Sequence, residues 1–274
     1  MKYNNEMSII DNEKKAYLLG FIYGDGCISK YKERDGRIRY STKISLQEED
    51  SDILHKIKDE FNFFSLGKFD YSKYNTNSQK QVSLTKRSKD LFEDLKDNGV
   101  YASKSFKNKD KLLVPKIEKG LMRHFLRGLW DADGSFYSTT KRPNLLHSEI
   151  CSASKGLIEE VDKVLIGEGI KTLGVRKKRN KKSFLYSITI VKTEDIQKLI
   201  DYLYKDSNIF LDRKYEKATN HNFVDKVKDR GIKCPKCYSI ETTKNGTRNG
   251  NLRMKCKSCK KNFTIKNPSS HKIG

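Results

Sequence analysis

No apolar run in this 274-residue sequence is long enough to cross a bilayer: the longest, Ala16 to Gly24, has nine residues, against the roughly twenty that a spanning helix needs. The amino-terminal Met1-Lys2-Tyr3-Asn4-Asn5-Glu6 lacks the apolar core of a secretory signal, so the reducing cytosol is the expected compartment and a disulfide scaffold is not expected. The histidines, His55, His124, His147, His221 and His271, form no ligand pattern, and Cys27 and Cys151 have no paired spacing; both thiols are expected to be buried and free. Acid is scarce as well, with 35 Asp and Glu against 57 Lys and Arg, a net charge of +22. Such a surplus favours a polyanionic partner, nucleic acid first. Val, Ile, Leu and Phe still make up about a quarter of the chain, above the level of roughly 20% below which a highly charged sequence stays disordered. A folded core is therefore expected, in a length that accommodates two domains.

What the chain does have is a repeat. Tyr17-Leu18-Leu19-Gly20-Phe21-Ile22-Tyr23-Gly24-Asp25-Gly26 returns, 108 residues later, as Phe125-Leu126-Arg127-Gly128-Leu129-Trp130-Asp131-Ala132-Asp133-Gly134. Each copy leads into strand-like segments, an amphipathic helix, two more strands and another helix, then a basic Ser103-Lys104-Ser105-Phe106 or Arg213-Lys214-Tyr215. Lys104 follows Asp25 by 79 residues and Lys214 follows Asp133 by 81. Helical spacing is read over 52–61, 91–96, 157–167 and 196–204, with Asn98-Gly99 and Glu168-Gly169 as stops. Between Arg37 and Gln47, one face of an alternating strand carries Arg37, Arg39, Ser41, Lys43, Ser45 and Gln47; the other carries Ile38, Tyr40, Thr42, Ile44 and Leu46. Period-two alternation of this kind makes one side of a sheet a core and the other a row of hydrogen-bonding groups.

In each motif, small residues four apart (Gly20 and Gly24, Gly128 and Ala132) let two helix backbones approach, so the copies are expected to pack on each other. Gly26 and Gly134 are expected to end the helices in a left-handed cap. Each helix then terminates at an aspartate. A carboxylate there faces the negative end of the helix dipole, costing about 0.3–1 kcal/mol, and two brought together repel. A divalent cation reverses that balance. Mg²⁺ is held by one or two carboxylates together with water and phosphate oxygens, which makes Asp25 and Asp133 candidate ligands for metal-assisted hydrolysis of a phosphodiester.

The two segments resemble the paired motifs of LAGLIDADG homing endonucleases, over roughly residues 10 to 220. The resemblance implies an α+β fold: two pseudo-symmetric αββαββα halves, 10–110 and 111–222, forming a saddle of antiparallel sheets on the DNA major groove, with the motif helices at the centre. It implies that Asp25 and Asp133 bind catalytic Mg²⁺ with help from the backbone carbonyls of Gly24 and Ala132, that Lys104 and Lys214 stabilise the pentavalent phosphate or order water, and that Gln47 positions water. Two departures lie away from the metal-binding position: Tyr23 stands for the first motif's earlier acid and Arg127 for the second motif's second residue. The counterpart of Gln47 falls within Ser152-Ala153-Ser154, so unequal cleavage of the two strands is expected.

Candidate DNA contacts on the sheet faces are Arg37, Arg39, Lys43, Lys68, Lys80 and Lys86 in the first half and Lys141, Arg142, Arg176, Lys177 and Lys178 in the second, with Arg reading guanine and most Lys meeting phosphate. Because the halves differ in sequence, the target is expected to be double-stranded, long and asymmetric, and the enzyme a monomer. From about Val224 the composition changes, and residues 225–274 carry a net +11. Cys234-Pro235-Lys236-Cys237 and Cys256-Lys257-Ser258-Cys259, with an 18-residue spacer, have the spacing of a four-thiolate zinc site. A structural Zn²⁺ ribbon over 228–268 is expected, with turns at Asn245-Gly246 and Asn249-Gly250 and with Arg248 and Arg253 as DNA contacts. The chain opens at Met and ends His271-Lys272-Ile273-Gly274, without the terminal groups of a self-splicing intein, so an intron-encoded or free-standing enzyme is expected. The alternative is an RNA maturase, with intron RNA as partner, or a non-cleaving DNA-binding regulator on the same scaffold.

Overall fold

The computed structural model describes residues 6–70, 80–104, 109–139, 142–179, 184–220, 233–248 and 251–265. The chain divides into two compact units, Met1–Phe223 and Val224–Gly274.

The first unit contains the duplication. In its first half, α1 (Glu13–Asp25) leads into β1 (Gly26–Lys32) and β2 (Ile38–Gln47), then α2 (Ser51–Glu60), β3 (Ser65–Asp70), β4 (Lys80–Lys86) and α3 (Lys89–Asp97). The second half repeats this order with α4 (Lys119–Asp133), β5 (Gly134–Thr139), β6 (Arg142–Ser152), α5 (Lys155–Gly167), β7 (Arg176–Arg179), β8 (Phe184–Ile190) and α6 (Thr193–Tyr204), and adds α7 (Asp212–Thr219). Each half holds one antiparallel four-stranded sheet, ordered β1-β2-β4-β3 and β5-β6-β8-β7. The expected helices are all present, and their stops are as read: Gly99 and Gly169 take φ of +88° and +74°.

Local chemistry explains the boundaries. Asn12 starts α1 by accepting the Lys15 amide at 3.0 Å, Ser88 accepts that of Leu91 at the start of α3, and Ser154 that of Leu157 at the start of α5; each satisfies an amide the helix leaves unpaired. Along β2 the alternation holds in the middle of the strand, with Thr42 and Ile44 buried and Lys43 and Ser45 toward the polar side; at its start, Ile38, expected on the core face, is 54% exposed because the strand end runs beyond the core. The buried faces of the sheets, α1 to α6 and the loop residues Phe61, Phe63 and Phe64 form one continuous core.

Two expectations are corrected. Gly26 and Gly134 are extended, with φ −79° in both, not left-handed. The chain passes from each motif helix straight into a strand, so the glycines are required by space: a Cβ would come within 2.6 Å of Ile22 Cα at Gly26 and 2.4 Å of the Trp130 ring at Gly134. Cys27 is exposed and Cys151 only partly covered. Both sit next to a buried residue, Ile28 or Ile150, and strand alternation turns them to the opposite, polar face.

The second unit has a three-stranded antiparallel sheet, β11-β10-β9, formed by β9 (Thr242–Arg248), β10 (Asn251–Cys256) and β11 (Asn262–Ile265). Asn245-Gly246 does not make a turn. It lies inside β9, where Gly246 has φ +83° and the pairing with β10 shifts between Leu252 and Met254, which is a β-bulge. Asn249-Gly250 lies outside the described residues.

Candidate active site at the paired helix ends

The motif helices α1 and α4 meet at their small residues. A Cβ on Gly20 would fall 1.9 Å from the Phe125 carbonyl oxygen, one on Gly128 2.0 Å from that of Tyr17, and one on Gly24 2.3 Å from Ala132 Cβ. Only a missing side chain permits this backbone-to-backbone approach. The approach brings Asp133 to the seam: its Oδ2 lies 3.3 Å from the place a Gly24 Cβ would occupy.

Both carboxylates keep an open side, yet surrounding protein withholds much of their hydration. Burial pushes Asp133 up to about 6, and the Asp25 charge adds to the shift while Lys104 and Lys214 oppose it. Asp25 is raised as well, first by burial, with Lys214 and Lys104 countering and Asp50 contributing repulsion. Two partly desolvated acids thus share this seam, and their hard oxygen donors suit Mg²⁺.

Lys104 and Lys214 approach from behind. Lys104 Nζ donates to the carbonyls of Ile22, Tyr23 and Gly24 at 2.5, 2.6 and 2.6 Å. Lys214 Nζ donates to those of Trp130, Asp131 and Ala132 at 3.1, 2.6 and 2.9 Å. Each ammonium therefore caps a helix C-terminus with all three of its protons, meeting both the orphaned carbonyls and the negative dipole end. Desolvation lowers Lys104 to about 8, with Asp133 and Asp25 holding it up, and burial lowers Lys214. The carbonyls of Gly24 and Ala132 each accept one of these bonds.

Long-range contacts that the sequence did not disclose hold the second lysine. Ahead of it, Arg213 forks onto Asp50 with two 2.8 Å hydrogen bonds, and Asp212 accepts from Lys56 at 2.5 Å; Asp50 and Lys56 belong to the first half. Asp131, fully buried, accepts from Tyr17 and Tyr204 hydroxyls at 2.8 Å each and from the Leu211 amide at 2.9 Å. Its first-half counterpart, Tyr23, instead donates to the Asn98 carbonyl at 2.8 Å. Buried Arg127 donates to the carbonyls of Ile209 and Leu203 and bonds His124 Nδ1 at 2.8 Å. The two motif departures thus serve to anchor the segments that follow α3 and α6. The one available signal was their asymmetry between copies.

Gln47 is exposed at the end of β2 opposite Gln81. Ile44 pairs with Gly26 and Ile150 with Gly134, so the register makes Ala153 the counterpart of Gln47. On the polar faces, Arg39 pairs with Glu33 at 2.9 Å, Lys68 with Glu48 at 3.6 Å and Lys178 with Glu149 at 2.5 Å, while Arg37 lies 3.5 Å from Asp35. Lys43 and Lys86 lie on β2 and β4, exposed Lys80 begins β4, and exposed Arg176 and Lys177 lie on β7. Arg142 opens β6; Lys141 lies outside the described residues.

Residues 18–113 match the LAGLIDADG endonuclease family and residues 120–204 the LAGLIDADG-like domain. The chain belongs to the LAGLIDADG family. No curated protein matches it in sequence. Among solved structures, the LAGLIDADG meganuclease I-AabMI bound to uncleaved DNA is 18% identical with a TM-score of 0.50, covering 76% of this chain and 88% of that one. I-DmoI in complex with DNA and Mn is 19% identical with a TM-score of 0.50, covering 74% and 100%. At these identities the likeness establishes the fold, the α+β LAGLIDADG saddle with antiparallel sheets in two halves.

In the second unit, the Sγ atoms of Cys234, Cys237, Cys256 and Cys259 all lie within 4.8 Å of one another. Cys234 and Cys259 Sγ are 3.6 Å apart, as are those of Cys237 and Cys256. A tetrahedron of thiolates at the usual Zn–S distance has edges of about 3.8 Å, so the cage fits zinc. The Lys236 amide already points at Cys234 Sγ, at 3.4 Å. Arg253 lies on β10 and Arg248 at the end of β9.

Proposed function

We propose that this LAGLIDADG protein is a sequence-specific endonuclease of the homing type that hydrolyses double-stranded DNA, with Mg²⁺ held between Asp25 and Asp133. The observation that carries this reading is the pair of aspartates at one helix seam, each pushed toward protonation first by burial and then by neighbouring carboxylates. The metal supplies a more acidic bound water and neutralises charge on the phosphate. The chain's own groups do the rest. Asp25 and Asp133 offer carboxylate oxygens, and Gly24 and Ala132 offer carbonyl lone pairs. Lys104 and Lys214 fix both helix ends and place positive charge beside the phosphate as its negative charge grows. Gln47 orients water on one strand; Ala153, with no hydrogen-bonding side chain, does not, so the two strands are cut at unequal rates.

The polar sheet faces bind the duplex. Arg37, Arg39 and Arg176 are offered to bases, and Lys43, Lys68, Lys80, Lys86, Lys177 and Lys178 to phosphate. Lys141 and Arg142 extend that set, and Arg248 and Arg253 add the second unit's contribution. Zn²⁺ in the four-cysteine cage holds that unit together.

The test uses purified protein, Mg²⁺ and a randomised duplex library. Cleavage of a long, non-palindromic site is expected. Asp25→Asn or Asp133→Asn should slow it by about a hundredfold or more, some 2.7 kcal/mol of barrier, with affinity for the duplex in Ca²⁺ retained. Full activity in either variant overturns the assignment of these two acids, and tight binding to structured RNA without cleavage of any duplex would favour a maturase.

A further inference from the structure

The two cysteine knuckles of the second unit are built alike. The amide of Cys234 donates to the Ser239 carbonyl at 3.0 Å and that of Cys256 to the Lys261 carbonyl at 2.9 Å. The residue just after each second cysteine is left-handed, Tyr238 at φ 57° and Lys260 at φ 62°. A bulky side chain there is an outlier that glycine would relieve. The fold gains no packing in exchange: Tyr238 is 74% exposed, and Ile240, two residues on, is 72% exposed. They are the two most exposed large apolar side chains among the described residues. The ribbon's own interior is made elsewhere, by the buried Met254 and by Leu252, Phe263 and Ile265, which the strand register puts on the same side of the sheet.

The unit that carries this pair is strongly basic. Residues 233–265 hold nine Lys and Arg and a single acid, Glu241, so the surplus stays positive even with a formally dianionic four-thiolate zinc centre. Lys236, Lys257 and Lys260 are exposed on the knuckles themselves. The knuckles are joined by the hydrogen bond between Ser239 and Ser258 hydroxyls at 2.8 Å, so Tyr238 and Ile240 flank a residue in direct contact with the lysine-bearing second knuckle. Strain retained at an exposed position points to a function. An exposed aromatic and an exposed aliphatic side chain on knuckles that also carry exposed lysines have the composition of a wedge that enters a DNA groove while the lysines meet phosphates.

We infer that Tyr238 and Ile240 form the apolar centre of a second DNA-binding surface, clamped to duplex phosphates by Lys236, Lys257 and Lys260. The inference rests on the reading of the chain as a binder of double-stranded DNA, and deepens it by naming the contact its second unit makes.

The test uses the full chain, loaded with zinc and held in Ca²⁺ so that affinity is read without cleavage. Tyr238→Gly is the decisive variant, since glycine takes a φ of 57° without strain and the ribbon should keep its metal. Tyr238→Gly combined with Ile240→Ser is expected to weaken binding to the target duplex about tenfold, with zinc content unchanged and the salt dependence unchanged. Tyr238→Phe should keep wild-type affinity. Lys257→Gln and Lys260→Gln should each flatten the log–log salt slope by about one. Wild-type affinity in the Gly/Ser variant overturns the proposal and points to a protein partner for the tip. Loss of zinc along with affinity also overturns it, because the side chains would then serve folding. Absence of cleavage by the wild-type protein in Mg²⁺ would instead strike the nuclease reading and leave these binding outcomes to be judged separately.

Discussion

His124 shows how a single side chain is set by its neighbours. Arg127 donates a proton to its Nδ1, which requires a lone pair there, and burial with the charges of Arg127 and Arg123 lowers its pKa to about 4. Its folded value thus lies below the unfolded one, near 6.5. Stability from the neutral ring is complete above about pH 6.5 and is lost as pH falls toward 4, by at most about 1.4 kcal/mol per pH unit. His124→Gln, whose carbonyl oxygen can accept the same bond, should flatten that part of the stability curve; denaturant melts between pH 7 and 4 would measure it. The aspartates of the motif were legible from the sequence because duplication singled them out. The Asp131 network was not, since Tyr17, Tyr204 and the Leu211 amide lie up to 114 residues away and local pattern carries no trace of them. Nor could alternation over a few residues tell that Cys27 would open to solvent, because the choice of face depends on where the strand begins.

At the scale of elements, the seam between α1 and α4 is fixed by its glycines. Gly20→Ala or Gly128→Ala would drive a methyl into a backbone carbonyl of the facing helix, which cannot turn aside as a side chain can. Each should cost more than about 3 kcal/mol and reduce cleavage as the aspartates separate. Gly120→Ala is the control: it lies in α4 with nothing within 4 Å of the new methyl, and should be neutral or stabilise by up to about 1 kcal/mol. Thermal melts of the three variants compare them directly. The small-residue spacing disclosed this packing in advance. It did not disclose that Gly26 and Gly134 are needed for clearance, because a glycine in a sequence does not say whether dihedral freedom or room is the reason for it. The sequence singled out Lys214 within α7, but not the contacts of its neighbours Asp212 and Arg213, which reach Lys56 and Asp50 in the other repeat.

At the scale of the molecule, the two compact units draw stability from different sources. The first has an extended apolar core. Among its described residues the second buries few apolar groups, chiefly Met254 beside two of its cysteines, and metal binding of about 10–16 kcal/mol in such sites can supply most of its folding free energy. Chelation should therefore remove one zinc per chain and abolish the β9–β11 sheet while the first unit still melts cooperatively. Calorimetry with elemental analysis, before and after chelation, would show one transition surviving; joint collapse of both units would contradict independent stabilisation. The succession of elements along the chain was legible at this scale because the same pattern occurs twice; the order of strands within each sheet, alike in both halves, was not, since it depends on pairing between distant segments.

The ties of Asp50 to Arg213 and of Lys56 to Asp212 bear on protein engineering. The lysine that braces one motif helix is aimed by residues of the opposite repeat, so the halves are not interchangeable cassettes. A chimera grafted from two relatives would inherit a misdirected ammonium unless positions 50–56 travelled together with 212–214.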